Sequence, residues 1–164
     1  MVQETYTGYI RKVLQNKQKL ESELDIKITN KGKLVFVEGD ADDEFIALQV
    51  IEAINLGFSP GKALLLKNEE IILNKIHIKD LTKRQDLERI RARIIGTKGK
   101  TLKTLNTLTN CHFSLRDNDV GIIGNCEEVE EAIQAVTSLI QGSKQGNVYA
   151  HAEKARKRKR QEWK

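Results

Sequence analysis

Ile94-Ile95-Gly96-Thr97-Lys98-Gly99-Lys100-Thr101-Leu102 is the stretch whose reading decides how this chain folds. Two glycines flank Thr97-Lys98, and helical periodicity lies on both sides. Upstream, Leu87, Ile90 and Ile94 share one helical face; downstream, Leu102, Leu105 and Leu108 begin a second stripe. Glycine there permits a sharp helix stop and leaves no side chain to block a phosphate. The next helix starts directly behind the loop, where free N–H groups and the helix dipole favour anions. Lys98, Lys100 and Lys103 add charge within reach, and Arg91 and Arg93 approach from the preceding helix. Gly99-Lys100-Thr101 looks like the end of a P-loop. That motif needs a glycine where Ile94 stands, and a strand leading in rather than a helix.

Working outward, Phe113 and Leu115 alternate with His112, Ser114 and Arg116, so the first pair is expected to face the core. Arg116-Asp117-Asn118-Asp119 supplies a turn into a second apolar strand. A helix follows with Val129, Ala132, Ile133, Val136, Leu139 and Ile140 on one stripe and Gly142 at its C-terminal cap. Ile76-His77-Ile78 reads as the opening strand, giving β-α-α-β-β-α. Shifting the sequence by 85 residues lays an earlier copy on this one: Val35-Phe36-Val37-Glu38-Gly39 falls near Val120-Gly121-Ile122-Ile123-Gly124, and Gly57 falls on Gly142. The earlier copy's opening strand must fit in residues 2–6. The same shift carries residues 96–99 onto Arg11-Lys12-Val13-Leu14, so neither glycine survives there.

The expected fold class is therefore α+β: two tandem units, the first degenerate, plus a basic C-terminal tail. The expected boundaries are a first unit over residues 1–58, a linker helix within 59–70, the glycine-loop unit over 71–146 and the tail over 147–164. Ser59-Pro60 reads as an N-cap followed by an N1 proline, opening a linker helix over residues 61–67.

Charge is focused. The formal net charge of the whole chain is +5, and residues 153–164 hold seven Lys/Arg against two Glu. Residues 83–103 hold eight Lys/Arg against Asp86 and Glu88, whereas residues 1–70 are net acidic. Such focusing attracts a polyanion. No run approaches a membrane span and no secretory signal opens the chain, so a cytoplasmic protein is expected. Cys111 and Cys126 lack metal-ligand spacing, and the three histidines are scattered in sequence, so neither metal nor cofactor is expected.

The segment 93–101, set between two helices in this β-α-α-β-β-α frame, resembles a type I KH domain, an RNA module whose GxxG loop clamps single-stranded nucleic acid. Linker residues Gly57-Phe58-Ser59-Pro60 with Lys62-Ala63-Leu64, and Val148-Tyr149 before the tail, make the chain similar to one family. It is that of the archaeal ribosome-assembly proteins related to the eukaryotic partner of Nob (Dim-two) and to the KRR-type processome proteins. The resemblance implies a non-enzymatic assembly factor for the small ribosomal subunit that binds near the 3′ end of its rRNA. It implies cooperation with a Nob-type endonuclease and a translation-initiation factor subunit, with no small-molecule substrate. By analogy Ile94, Ile95, Leu102 and Leu105 wall the RNA groove or the core beneath it. Gly96, Thr97, Lys98, Gly99, Lys100, Thr101 and Lys103 grip the backbone with Arg91 and Arg93. Ser114 and Arg116 read base edges, and Lys154, Arg156, Lys157, Arg158, Lys159 and Arg160 meet phosphates. Residues 150–162 lack helix breakers, so a helix extending along RNA is expected there, with a disordered solubility tail as the alternative. Trp163 is near a terminus, where a side chain is more often idle than stacked on a base. An aspartate at Gly96 or Gly99 is expected to abolish binding and leave the fold intact.

Other classes remain open on the residues alone. A nuclease needs clustered carboxylates for metal. Asp40, Asp42, Asp43 and Glu44 cluster, as do Glu127, Glu128, Glu130 and Glu131, but both groups open a helix, where acids suit the dipole. A KH protein of RNA decay or translation control, and a protein-interaction scaffold with non-specific RNA affinity, are the alternatives.

Overall fold

The computed structural model describes residues 2–162, so Trp163 lies outside the described residues. The chain divides into two compact units, the first ending at Leu73 and the second beginning at Asn74. Architecture is mixed α+β, with one three-stranded sheet in each unit.

The first unit opens with strand β1 (Val2–Tyr6), the segment where a short opening strand was expected. Helices α1 (Ile10–Gln15) and α2 (Lys17–Leu24) follow, then strands β2 (Lys27–Lys31) and β3 (Leu34–Glu38), and helix α3 (Ala41–Asn55). The sheet order is β1-β3-β2, both pairings antiparallel. The short helix α4 (Pro60–Ala63) carries on as a 3-10 turn over Leu64–Lys67. Its start matches the sequence signal: Pro60 is at the first position, and the Lys62 N–H donates to Ser59 Oγ at 3.3 Å. The core gathers Val13, Leu20, Ile28, Val37, Val50 and Ile54, none with exposed surface.

The second unit contains strand β4 (Ile71–His77), mostly beyond the division, then α5 (Ile78–Leu81), α6 (Leu87–Ile95), α7 (Lys100–Thr109), strands β5 (His112–Arg116) and β6 (Asp119–Asn125), α8 (Cys126–Ile140) and α9 (Gln145–Glu162). Its sheet order is β4-β6-β5, the same placing of the last strand of the three in the middle. The opening strand runs earlier than Ile76-His77-Ile78 suggested. Ile78 leaves it because its N–H donates to Asn118 O at 2.8 Å and it begins α5.

Local chemistry explains why the last halves of the units coincide at the 85-residue shift. Helix α2 stops at Asp25 (φ 52) and α7 at Asn110 (φ 57), both residues that tolerate the left-handed region through short polar side chains. Each hairpin turns through a first residue of positive φ, Gly32 (φ 60) and Asp117 (φ 53), which suits the twist of paired strands. Both acidic clusters open a helix. At α3 the Gly39 N–H donates to Glu44 Oε1 at 3.2 Å, and at α8 Asn125 Oδ1 accepts from the Glu127 N–H at 3.0 Å.

Residues 145–162 form one helix that packs on α7 and α8. Val148, Ala152 and Ala155 recur at helical spacing and are buried, so a narrow stripe of small residues lets α9 lie close. The helix therefore begins ahead of the boundary read from the sequence, and one of its faces is part of the second unit's core.

Behind β5, Gly124 makes room for Cys111, a buried thiol that desolvation pushes up to about 11. A Cβ at Gly124 would stand 2.5 Å from Cys111 Sγ. Gly124→Ala is expected to destabilise the chain by about 1–3 kcal/mol through overpacking, read as a lower urea midpoint, and adding Cys111→Ala is expected to restore part of it.

Candidate nucleic-acid interface

Helix α6 presents Leu87, Ile90 and Ile94 to the core and ends because Gly96 leaves helical space at φ 76, ψ 171. The Gly96 N–H closes the helix on Ala92 O at 2.8 Å. A 3-10 turn over Thr97–Gly99 follows, with Lys98 at φ 56, ψ 30. Gly99, at φ 75, ψ 14, is the residue on which α7 begins, and it brings no capping side chain. The first N–H groups of α7 have no intrahelical acceptor, as at any helix start. They open on main chain flanked by the exposed residues Thr97, Lys98 and Lys100, with Lys103 exposed one turn on.

The two glycines do different things. The angles of Gly96 fall in a region open essentially to glycine alone, and a Cβ there would run into the Thr101 side chain and lie 2.6 Å from the Thr101 N. Gly99 has nothing within 4 Å of such a Cβ, and its left-handed angles are ones that Asp and Asn tolerate. The expectation that aspartate at either glycine spares the fold is thus corrected for Gly96, where glycine is a packing requirement.

The remaining sequence-predicted residues separate into two groups. Ile95 is 38% exposed beside the loop, and Leu102 is half-buried against the core. Ser114 and Arg116 are half-exposed on β5, on the opposite side of the strand from Phe113 and Leu115, which pack on the core. By contrast Ile94 and Leu105 have no exposed surface, and Thr101 is 3% exposed. Their side chains support the loop from beneath; burial keeps them from a ligand. Arg91 and Arg93, the two arginines of α6 expected at the loop, have intramolecular partners. Arg91 donates to Asn118 Oδ1 at 2.6 Å, joining α6 to the β5–β6 turn. Arg93 donates to Leu139 O at 3.2 Å and to Ser143 O. Ahead of α6, Arg84 grips Asp86 through two nitrogens, at 2.9 and 2.5 Å, and that hydrogen bonding holds the Asp86 carboxyl below its ordinary range.

The basic residues of α9 divide likewise. Arg156 donates to Thr107 O at 3.2 Å and Lys159 to Glu127 O at 2.5 Å, so these two fasten the helix to α7 and α8. Lys154, Lys157, Arg158 and Arg160 are exposed. A recess of about 820 Å³ lies between α9 and the facing ends of α7 and α8, lined by Thr107, Asn125, Glu127, Glu131, Arg156 and Lys159, and includes none of the glycine-loop residues. Among the described residues no group of three or more His, Cys, Asp or Glu could hold a metal ion, and no helix is long and apolar enough to cross a membrane.

One residue at the loop carried no sequence signal. Gln145 Nε2 donates to Arg93 O and to Thr101 Oγ1, both at 3.1 Å. It is separated from those residues by 52 and 44 positions, a distance that no local pattern spans.

Comparison with known proteins is consistent with this geometry. Residues 72–157 match the family model for the second KH domain of PNO1, described as a eukaryotic type KH domain, KH-domain type I. A KH domain-containing protein of Methanocaldococcus jannaschii is 32% identical over 149 residues, 87% of this chain and 66% of that protein. The pre-rRNA-processing protein pno1 of Schizosaccharomyces pombe is 31% identical over 140 residues, 80% of this chain and 58% of that one. The chain thus spans somewhat under two thirds of the length of these curated relatives. Among solved structures, a chain of the a/eIF2alpha-aDim2p-rRNA complex from Pyrococcus horikoshii OT3 superposes with a TM-score of 0.88 at 29% identity, over 96% of this chain and 94% of that one.

Substitution separates the two glycines. Gly96→Ala is expected to cost about 1–3 kcal/mol from backbone strain alone, with the Thr101 overlap on top. Gly99→Ala is expected to cost about 1–2 kcal/mol, the price of left-handed angles in open space. Urea denaturation of the two variants measures the difference, and equal losses would refute the inequivalence.

Proposed function

We propose that this chain, which belongs to the PNO1 family of type I KH-domain proteins, holds single-stranded RNA through the glycine loop of its second unit and serves in assembly of the small ribosomal subunit. The observation that carries the reading is bare main chain at Gly96 and Gly99, at the open start of α7, with Lys98, Lys100 and Lys103 exposed around it. A phosphodiester meets there what an anion needs: N–H groups, the positive end of a helix dipole and mobile cations. Ile95 and Leu102 supply apolar surface beside the loop on which bases rest, and the outer edge of β5, with Ser114 and Arg116, reads them. Arg91, Arg93, Ile94 and Thr101 take part as the frame.

The exposed cations of α9, Lys154, Lys157, Arg158 and Arg160, add a second row of phosphate contacts that does not depend on base sequence. The two units are read as tandem KH-like repeats of which only the second clamps RNA. In the first unit residues 11–14, which the 85-residue shift places on the loop, lie inside α1. The bend there falls at Asn16 (φ −111, ψ 14) without positive φ, and no glycine gives a phosphate access to main chain. The role is read as binding rather than catalysis, because both acidic clusters open a helix, where the dipole favours them, and Glu44 of the first accepts the Gly39 N–H. The names of the similar proteins support pre-rRNA processing as the context, with rRNA and an initiation-factor alpha subunit as partners; binding near the 3′ end of small-subunit rRNA and a place in the cytoplasm belong to the proposal. A Nob-type endonuclease is the further partner that the family resemblance implies.

Gly99→Asp tests the site without disturbing the fold. The carboxylate it places at the start of α7 is expected to weaken binding of a short single-stranded RNA at least about tenfold, some 1.4 kcal/mol, with a melting temperature no lower than that of Gly99→Ala. Equal affinity in a fluorescence-anisotropy titration would remove the loop from the interface. Replacing Lys154, Lys157, Arg158 and Arg160 with alanine is expected to weaken all RNAs alike and to flatten the salt dependence by about 0.7 log unit per cation that meets phosphate. An unaltered slope would take α9 off the RNA.

A further inference from the structure

We infer that Gln145 is a positioning residue for the RNA-binding loop, and that docking of α9 sets RNA affinity through it. The inference rests on the proposed RNA-binding role of that loop and adds a determinant behind it.

The bend between α6 and α7 is conformationally expensive. Gly96, Lys98 and Gly99 all have positive φ, and Lys98 does so with a full side chain. Left free, such a segment samples many shapes, and a ligand then has to select the competent one at a cost in apparent affinity. The structure supplies a restraint from the start of α9. The bend interrupts the helical ladder, so Arg93 O, in the last turn of α6, is among the carbonyls without a normal intrahelical partner. Gln145 Nε2 donates to it at 3.1 Å, and the same nitrogen donates to Thr101 Oγ1 at 3.1 Å. One carboxamide thus ties the end of α6 to the start of α7 and closes the mouth of the loop.

Thr101 is the hydroxyl that fills the space left by the missing Cβ of Gly96. Its rotamer is therefore coupled on one side to the Gly96 backbone and on the other to Gln145. The clasp also runs in the opposite direction. The Arg93 guanidinium reaches Leu139 O and Ser143 O, at the end of α8 and just ahead of α9. Gln145 is the first residue of α9, whose place is determined by burial of Val148, Ala152 and Ala155. The tail helix consequently has two effects on RNA: its exposed cations act directly, and its first residue acts by holding the loop in shape.

Gln145→Ala tests this while keeping a good helix former at the head of α9. Three readouts are needed: melting temperature, affinity for a fluorescein-labelled pool of short random single-stranded RNA, and hydrogen exchange of the amides of residues 96–100 without RNA. The expected result is faster exchange confined to those amides and about tenfold weaker binding, some 1.4 kcal/mol, with a salt slope like that of the unmodified chain. Gln145→Glu, equal in size but unable to donate to Arg93 O, is expected to speed the same amides' exchange and, with its added carboxylate charge, to bind RNA no better than Gln145→Ala. Thr101→Val is expected to weaken binding in part and Thr101→Ser to restore it, and Thr101→Val combined with Gln145→Ala to be no weaker than Gln145→Ala alone. Unchanged loop exchange in Gln145→Ala overturns the inference, whatever the affinity. Faster exchange with unchanged affinity overturns the link from α9 to RNA. If the unmodified chain binds no RNA, the proposed function fails instead, and the exchange experiment still decides whether Gln145 holds the loop.

Discussion

The contact between Gly96 and Thr101 is the constraint on which the geometry of the glycine loop depends. The main chain at Gly96 takes an angle pair that side chains forbid and comes up against the threonine of the next helix, leaving no room for a methyl group. That close approach turns α6 into α7 within a few residues and points the open end of α7 outward. Gly99 differs: its left-handed main chain starts α7 with open space where a side chain would stand. A motif written as two equivalent glycines thus holds one position where a side chain has no room and one where it has open space.

The basic tail combines two roles that its composition does not distinguish. Its hydrophobic content is small, but Val148, Ala152 and Ala155 are spaced so that one stripe packs against α7 and α8. Small side chains bring the helices close, and Arg156 and Lys159 then reach main-chain carbonyls of their neighbours. Arg156 meets a carbonyl near the C-terminal end of α7, where the dipole favours a cation. The rest of the positive charge is left on the solvent side. A helix that reads as a free polycation is therefore an ordered ridge anchored along one face.

The contrast between the units is sharpest at one junction of the chain. The elements from β2 to α3 and from β5 to α8 follow one another at the same spacing, with matching turns of positive φ and matching left-handed helix stops at Asp25 and Asn110. They diverge at the helix–helix junction. Where the second unit has an exposed glycine bend, the first has helix α1 continuing to Asn16. The acidic cluster of α3 follows the same economy: Glu44 is buried and accepts the Gly39 N–H, so its charge stabilises a helix start.

The sequence by itself determined what depends on near neighbours. The alternation of β5, the stripe of α8, the Ser59-Pro60 helix start and the hairpin turns were legible because each is a property of residues within a turn or two. The GxxG spacing was legible too, and with it the α+β class and the family. Tertiary structure decided the rest, because it turns on contacts between residues far apart in the chain. It placed Ile94 and Thr101 beneath the surface, engaged Arg91 with Asn118 and Arg93 with Leu139 and Ser143, and divided the tail's cations between fastening and display. It also brought in Gln145, a polar side chain at a helix start that means nothing until packing of α9 carries it behind the loop. Charge and glycine content can be counted along a chain, but whether an arginine meets solvent or a carbonyl is settled only when the helices around it are in place.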